Sequence, residues 1–87
     1  MKKDPRATLD FSVDWTQWLS GDTITSSQWS VSGGEELSIM STSHTASMAT
    51  VWLTGGASGK LYRVTNVITT AAGRTDARTL TIYVEER

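Results

Sequence analysis

The side chains that could do chemistry in this 87-residue chain are few. They are three aspartates, Asp10, Asp14 and Asp22, and the single histidine, His44; the chain has no cysteine. A metal site or an acid–base pair on Asp10 and Asp14 needs further ligands converging on them, and His44 has no second metal ligand or nucleophile near it in the sequence. We therefore predict no catalytic, metal or cofactor site and no enzyme, although a hydrolase built on the three aspartates stays formally open.

Length and charge limit the size of the protein and the class of its partners. Eighty-seven residues are enough for one domain, and a net charge of −1 with scattered charges gives no electrostatic footprint for nucleic acid or an anionic membrane. No apolar run approaches the roughly 20 residues of a membrane span. The start, Met1-Lys2-Lys3, is not followed by an apolar stretch, so we expect no signal peptide.

The chain reads as a series of strands. Ser and Thr are abundant, and apolar residues alternate with them, as in strands with one buried face. Strands are predicted over residues 8–15, 23–31, 37–41, 46–53, 61–68 and 79–84, with residues 41–47 as an edge or a loop. Their spacing of about ten residues predicts an all-β fold, a β-sandwich of about six or seven antiparallel strands.

The first residues differ from the rest of the chain. Residues 1–7 are charged and contain the only proline. We expect a flexible N-terminal arm there, either disordered or ordered against a partner, ahead of one domain over residues 8–87.

The alternation also assigns core positions. Val13 and Trp15 share the inward side of the first long strand, and Trp29 is predicted at the centre of the core. Ile24 and Trp29 differ in parity, which predicts a bulge or crossing at Ser26-Ser27. In the strand over residues 61–68, Asn66 interrupts the apolar side.

One local layout resembles a known fold. Gly59 followed by Tyr62 resembles the tyrosine corner of immunoglobulin-like and fibronectin-like sandwiches, in which the Tyr hydroxyl bonds to the backbone upstream. Trp29 is similar to their buried Trp, but the antibody disulfide is absent. The resemblance implies an immunoglobulin/fibronectin-III-like β-sandwich with Greek-key connections.

A second resemblance covers most of the chain. The segments that carry it are LDFSVDW (9–15), WL (18–19), GDTI (21–24), SQWSV (27–31), TVWLTGG (50–56), YRVTN (62–66) and TTAAGRT (69–75). Together they resemble small tailed-phage and prophage proteins described as structural or fibre–tail adaptor proteins. The resemblance implies a non-enzymatic virion module, made in the bacterial cytoplasm, that contacts other phage structural proteins in the tail, neck or fibre. It carries no catalytic residues and leaves homo-oligomerisation open.

Four side chains are the candidates for such contacts. Trp52 and Tyr83 are predicted to point outward, side by side on one sheet face, unless Trp52 packs under a loop. Trp18 lies beside a turn and either caps the core or stands out as a contact. Arg74 lies in the predicted loop over residues 71–77, which is either a contact surface or a solvated turn.

A carbohydrate-binding or adhesion module is the alternative function. In that hypothesis Trp15 and Trp18 form a stacking platform for a sugar ring. It ranks second because such modules are usually exported, and no export signal is expected here.

Overall fold

A computed structural model describes residues 2–85 and confirms the all-β prediction. Seven strands and one short helix are found among these residues. Their bounds are β1 Lys2–Lys3, β2 Thr8–Asp14, α1 Thr16–Leu19, β3 Ile24–Ser32, β4 Leu37–His44, β5 Met48–Gly55, β6 Leu61–Thr70 and β7 Thr75–Val84.

The strands form two sheets. The four-stranded sheet has the order β1-β7-β6-β3, and the three-stranded sheet has the order β2-β5-β4. All neighbouring strands are antiparallel except β1 and β7, which run parallel. The chain passes from one sheet to the other after β1, β2, β3 and β5, whereas β4–β5 and β6–β7 are hairpins.

The sheets pack face to face because each strand buries its apolar side. At one end, Val51 and Leu53 of β5 meet Tyr62 and Val64 of β6 and Ile82 of β7. All five side chains have no exposed surface. The other end of the core is a second cluster, formed by Val13, Trp15, Leu19, Ile24, Ala49 and Ile68.

Asn66 lies on the inward side of β6, between Val64 of the first cluster and Ile68 of the second. It is fully buried. Trp15 Nε1 donates to Asn66 Oδ1 at 3.0 Å, and Asn66 Nδ2 donates to Ser27 Oγ at 2.9 Å and to the Gln28 carbonyl at 3.1 Å. The polar residue that interrupts the alternation is thus a hydrogen-bonded link from β6 to β3 and to the end of β2.

Trp29 is only partly buried, although the alternation predicts it at the centre of the core. It packs against both clusters from β3, but β3 is an edge of its sheet, so one side of the indole is uncovered. Its buried Nε1 has no hydrogen-bond partner within residues 2–85. The tryptophan with no exposed surface is Trp15, so the assignment of Trp29 as the core centre is corrected.

The hydrogen bond predicted for Tyr62 is present. The Ala57 backbone N–H donates to Tyr62 Oη at 2.8 Å, and the Tyr62 hydroxyl donates to Glu36 Oε1 at 2.8 Å. Together with Lys60 Nζ, 3.1 Å away from the same oxygen, this hydroxyl lowers the pKa of Glu36. The β5–β6 turn also needs glycine at Gly56, where φ is +102° and a Cβ would lie 2.7 Å from Val84 Cγ2.

The expected N-terminal arm is structured at its start. Lys2 and Lys3 pair with Tyr83 and Val84 as β1, and Lys3 is 1% exposed. Its Nζ donates to the Gly55 carbonyl of the other sheet at 2.6 Å, and burial lowers the pKa of Lys3. Lys3 can be buried with its charge because the Asp4 and Gly55 carbonyl oxygens accept hydrogen bonds from its ammonium group.

Several element bounds differ from the prediction. A helix, α1, occupies part of the predicted loop at residues 17–22, and β7 begins at Thr75 within the predicted loop over residues 71–77. β4 continues to His44 and is an edge strand. The shift in β3 falls between Ile24 and Ser26, next to the predicted bulge.

Ile39 of β4 is 36% exposed although it is apolar. The register of β4 against β5 shifts between Ile39 and Ser41. Ile39 therefore lies beside an irregularity on an edge strand, where the opposite sheet covers less of it.

Replacing Asn66 by leucine should destabilise the domain although both side chains have the same number of heavy atoms and the same branching. The change removes the acceptor of the buried Trp15 Nε1, and an orphaned buried donor costs about 1–3 kcal/mol in free energy of unfolding. Urea unfolding followed by tryptophan fluorescence measures this. Thr79→Val, on the exposed side of β7, is the control and should change stability by less than about 0.5 kcal/mol. Equal stability of Asn66→Leu and wild type would contradict a structural role for the amide.

Removing the Tyr62 hydroxyl by Tyr62→Phe should cost about 1–3 kcal/mol, because the Ala57 N–H loses its acceptor and Glu36 loses a donor. Thermal unfolding provides the measurement. Tyr83→Phe is the matched control, since Tyr83 is half-buried outside the core clusters, and we expect a change below about 0.5 kcal/mol. The two variants behaving alike would rule out this role for the hydroxyl.

Candidate protein-interaction surface

Two of the predicted contact residues, Trp18 and Arg74, lie against each other. The β6–β7 turn places the Arg74 guanidinium 4.3 Å from the centroid of the Trp18 ring on α1. Arg74 Nη2 donates to the Leu19 carbonyl at 2.7 Å, and Nη1 to the Trp18 carbonyl at 3.4 Å. These carbonyls end the short helix, where a cation is favourable. Arg74 therefore holds α1 in place as well as presenting a partly exposed charge.

Asp22 completes this connection from the loop before β3. Its carboxylate accepts from Arg74 Nε at 3.2 Å and from the backbone N–H groups of Thr23 at 2.8 Å and Ala72 at 3.2 Å. The Thr70 hydroxyl is the largest of the contacts that lower the pKa of Asp22 to about 2, followed by the Thr23, Arg74 and Ala72 donors. A charge-assisted cluster thus joins the β6–β7 turn to the segment that carries α1.

A second arginine extends the arrangement. Arg78 lies 4.4 Å from the centroid of the Trp15 ring and donates from Nη1 to the Asp14 carbonyl at 3.2 Å. Trp15 and Trp18 meet edge to face, with centroids 5.3 Å apart. We call Trp15, Trp18, Arg74 and Arg78 the Arg–Trp pole. Arg78 was not among the predicted site residues, although it shares the parity of the inward residues of β7.

The Arg–Trp pole does not have the form of a sugar platform. Trp15 has no exposed surface, and the Trp15 and Trp18 rings meet at 71° rather than side by side. Trp18 is partly buried below the Arg74 guanidinium. The expectation of a flat stacking surface made by these two rings is therefore corrected, because the rings are used to close one end of the core.

Trp52 and Tyr83 lie on different sheets, so their predicted side-by-side placement is wrong. β5 is the middle strand of the three-stranded sheet, and β7 belongs to the four-stranded sheet. Trp52 alternates with two fully buried residues of β5 and therefore points outward, with 39% of its surface exposed. Tyr83 is half-buried on β7, between Leu61 and Lys2 in register. Alternation gives each side chain a face but cannot say which sheet a strand joins.

Trp52 is surrounded by uncharged side chains and one carboxylate. In register it lies between Asp10 of β2 and Ser41 of β4. On the same strand, Met48 is 38% exposed and Thr50 is half-buried. An exposed indole beside a methionine and ringed by small polar groups has the composition of a protein contact. We call Trp52, Met48, Thr50, Asp10 and Ser41 the Trp52 face.

The acidic and histidine residues singled out in the sequence lie apart from one another or bind neighbouring groups. Within residues 2–85, no three His, Cys, Asp or Glu side chains are placed to hold a metal ion. Asp14 instead accepts from the Thr16 hydroxyl and backbone N–H, which lowers the pKa of Asp14. His44 is exposed at the end of β4. Among the described residues, no helix is long and apolar enough to cross a membrane; α1 has only four residues.

Acid should weaken the domain partly through Asp22. Because its pKa in the folded chain is about 2, below the ordinary 3.8, its stabilising effect is complete above pH 3.8 and is lost as the pH falls toward 2. Asp22→Asn should therefore lose less stability than wild type between pH 4 and pH 2, measured by urea unfolding at each pH. Asp14 and Glu36, whose pKa values are also lowered, should preserve part of the acid dependence.

Thr70→Val is the matched test of the same cluster. It removes the strongest contact on the Asp22 carboxylate and should also reduce the acid dependence. In an Asp22→Asn background, Thr70→Val should cause no further change in how the free energy of unfolding depends on pH between pH 4 and pH 2. If Asp22→Asn and wild type lose the same stability between pH 4 and pH 2, the Asp22 carboxylate does not contribute to the acid dependence.

The comparisons with known proteins agree with a structural role. No curated protein sequence matches the chain. A family model described as "Podophage GP4 fiber-tail adaptor protein gp77" matches residues 3–83, which include nearly all of both sheets and the whole Arg–Trp pole. The match covers well over half of the 87 residues. The chain therefore belongs to the podophage GP4 fiber-tail adaptor protein gp77 family.

Proposed function

We propose that this protein is a non-enzymatic module of the phage virion that joins tail, neck or fibre components through protein–protein contacts. The observation that carries the proposal is the match to an adaptor family over residues 3–83. The charged side chains described above support it, because Asp22, Glu36 and Arg74 bind backbone and side-chain groups of the turns and so serve the shape of the domain. An adaptor works by holding surfaces in fixed positions, and this fold supplies such surfaces.

An immunoglobulin-like sandwich is the arrangement we propose for the two sheets. The parallel pairing of the first and last strands, the crossings between sheets after β2, β3 and β5, and the Tyr62 hydrogen bond support this assignment. In such a fold the loops lie at the two ends and the flat sheet faces remain available for partners.

Both ends of the domain are fixed by charged side chains. Asp22 and Arg74 join the β6–β7 turn to α1 at one end. Glu36 and Tyr62 join the β3–β4 turn to the β5–β6 turn at the other. Each set connects segments that are far apart in sequence. Because the turns at both ends are held by these contacts, the two sheets keep the same relative orientation. A constant orientation suits a module that lies between two other proteins.

The Trp52 face is the contact surface that we consider strongest. It combines a 39% exposed indole with a 38% exposed methionine, bordered by the Thr50 and Ser41 hydroxyl groups and the Asp10 carboxylate. Large aromatic residues at the centre of such a patch supply much of the binding energy in protein interfaces.

Tyr83 provides a surface on the other sheet. An adaptor that links two different proteins needs two surfaces, and Trp52 and Tyr83 lie on separate layers. Trp18 and Arg74 are the third candidate contact, restricted to the sides that their mutual packing leaves exposed.

Association with purified particles tests the proposal. The wild-type protein should be found in fixed proportion to tail or fibre proteins in virions, and Trp52→Ala should lower its occupancy at least about tenfold when its supply is limiting, since a central aromatic contact is worth about 2 kcal/mol or more. Thr50→Ala, on the same outward side of β5, is the control and should retain wild-type occupancy. Circular dichroism and thermal unfolding check that both variants remain folded.

Tyr83→Ala extends the test to the other sheet. If the two faces bind different proteins, Trp52→Ala and Tyr83→Ala should each abolish capture of a different virion protein. Purified virions that lack the wild-type protein would overturn the function. Normal occupancy of a folded Trp52→Ala would overturn only the assignment of the Trp52 face.

A further inference from the structure

Arg63 of β6 differs from the other cations of the chain because its guanidinium has no partner. Within residues 2–85, every other lysine and arginine is engaged by an ion pair, a carbonyl oxygen or an aromatic ring: Lys2, Lys3, Arg6, Lys60, Arg74 and Arg78. The exposed Arg63 side chain makes no such contact with any part of the chain that the structure describes. The surroundings of Arg63 indicate what could bind it.

Arg63 is a single charge on the outer face of the four-stranded sheet. Across this face it lies between Ser32 of β3 and Thr81 of β7, and Leu61 and Tyr83 form the adjacent row. The remaining outward residues of β3, β6 and β7 are uncharged: Ser26, Gln28, Ser30, Thr65, Val67, Thr69, Thr75, Ala77 and Thr79. No outward carboxylate of these three strands is therefore available to neutralise Arg63.

The Arg63 side chain lies in a groove of about 190 Å³. The groove is lined by Ser32, Gly33, Leu61, Arg63 and Thr81, and Leu61 is 58% exposed. Gly33 forms part of the wall without a side chain, since its φ is +114° and a Cβ there would lie 2.8 Å from the Leu61 carbonyl oxygen. The groove thus combines an unpaired guanidinium, two hydroxyl groups and an exposed apolar side chain. We call it the Arg63 groove.

The outer faces of the two sheets carry charges of opposite sign. On the three-stranded sheet, Asp10 and Asp14 lie on the outward side of β2, and neither β4 nor β5 contains Asp, Glu, Lys or Arg. An acidic group of another protein is therefore attracted to the face that carries Arg63 and repelled by the face that carries Asp10. This difference lets the two faces select different partners.

We propose that the Arg63 groove binds the carboxylate side chain of an Asp or Glu on another virion protein. The inference rests on the proposed adaptor function and adds to it the chemistry of the partner that covers the Tyr83 side of the domain. A guanidinium presents its N–H donors in a fork that matches the two oxygens of a carboxylate. Leu61 and Tyr83 provide apolar surface beside the ion pair, which excludes water from it once the partner is bound.

A protein carboxylate fits this groove better than a phosphate of nucleic acid. Nucleic acid backbones are bound by several cations that follow successive phosphates, whereas Arg63 is the single charge among the outward residues of β3, β6 and β7. The net charge of −1 also opposes binding to a polyanion. The exposed Leu61 needs an apolar neighbour, which the surface of another protein supplies.

Occupancy in virions tests the role of the charge. When the protein is limiting, Arg63→Ala should lower the number of copies per particle at least about tenfold, because it leaves the partner's carboxylate buried without a cation. Thr75→Asp is the matched control, since it changes the net charge by the same amount at the opposite end of the same face, and it should keep wild-type occupancy. Circular dichroism checks that both variants are folded.

The outcomes separate this inference from the proposed function. Normal occupancy of a folded Arg63→Ala would overturn the Arg63 groove as a contact, while the adaptor function would stand. Wild-type protein that is missing from purified virions would overturn the adaptor function itself. If the isolated wild type binds a DNA duplex and Arg63→Ala does not, the groove is a nucleic acid site and the proposal is wrong.

Zero-length cross-linking identifies the group that Arg63 contacts. Arg63→Lys keeps the positive charge and introduces an amine, which a water-soluble carbodiimide joins to an adjacent carboxylate as an amide, the carbodiimide taking up the water that is released. Mass spectrometry of treated virions should find position 63 linked to an Asp or Glu of another virion protein. Thr75→Lys introduces an amine at the far end of the face and should not link to that carboxylate. A link from position 63 to a second copy of this chain, or no link in particles that contain Arg63→Lys, would overturn the proposal.

Discussion

The hydrogen bond between Trp15 Nε1 and Asn66 Oδ1 is the interaction on which the arrangement of this fold most depends. It is fully buried and joins the end of β2 to β6, and so connects segments that belong to different sheets. Asn66 also binds Ser27 and the Gln28 carbonyl beside the irregular start of β3. A buried amide is tolerated only when its groups are paired, so this site favours one relative placement of three strands. Apolar contacts alone would tolerate several placements.

The two ends of the core are closed in different ways. At one end, aromatic rings and arginines pack in the Arg–Trp pole, and Asp22 binds the turn that carries Arg74. At the other end, the Tyr62 hydroxyl lies between the Ala57 N–H and the Glu36 carboxylate. These polar groups satisfy backbone atoms in loops that a small core could not fix by apolar burial alone. The residues with the strongest electrostatic interactions in this protein therefore serve its shape.

Since side chains close both ends of the core, the outer faces and the edges of the sheets are the surfaces that remain exposed. Exposed aromatic character is concentrated on the Trp52 face, while charge is distributed unevenly among the edges. This division leaves an exposed aromatic surface on one sheet of a protein that belongs to an adaptor family.

Local sequence patterns predicted most strands and their inward sides. Alternation located most strand bounds, the buried sides of β5 and β6 and the irregularity in β3, because these depend on residues close in sequence. The Tyr62 hydrogen bond followed from the resemblance of Gly59 and Tyr62 to a tyrosine corner. It also indicated the family, through segments spread over most of the chain. The sheet that each strand joins became clear from the three-dimensional arrangement. Trp52 and Tyr83 lie on different sheets because β5 and β7 do. Trp15, rather than Trp29, is the fully buried tryptophan of the core. Arg74, predicted in a loop, packs on the ring of Trp18. Strand pairing and charge clusters of this kind link residues about 50 positions apart, as in Arg74 with Asp22, and no local pattern encodes such a distance.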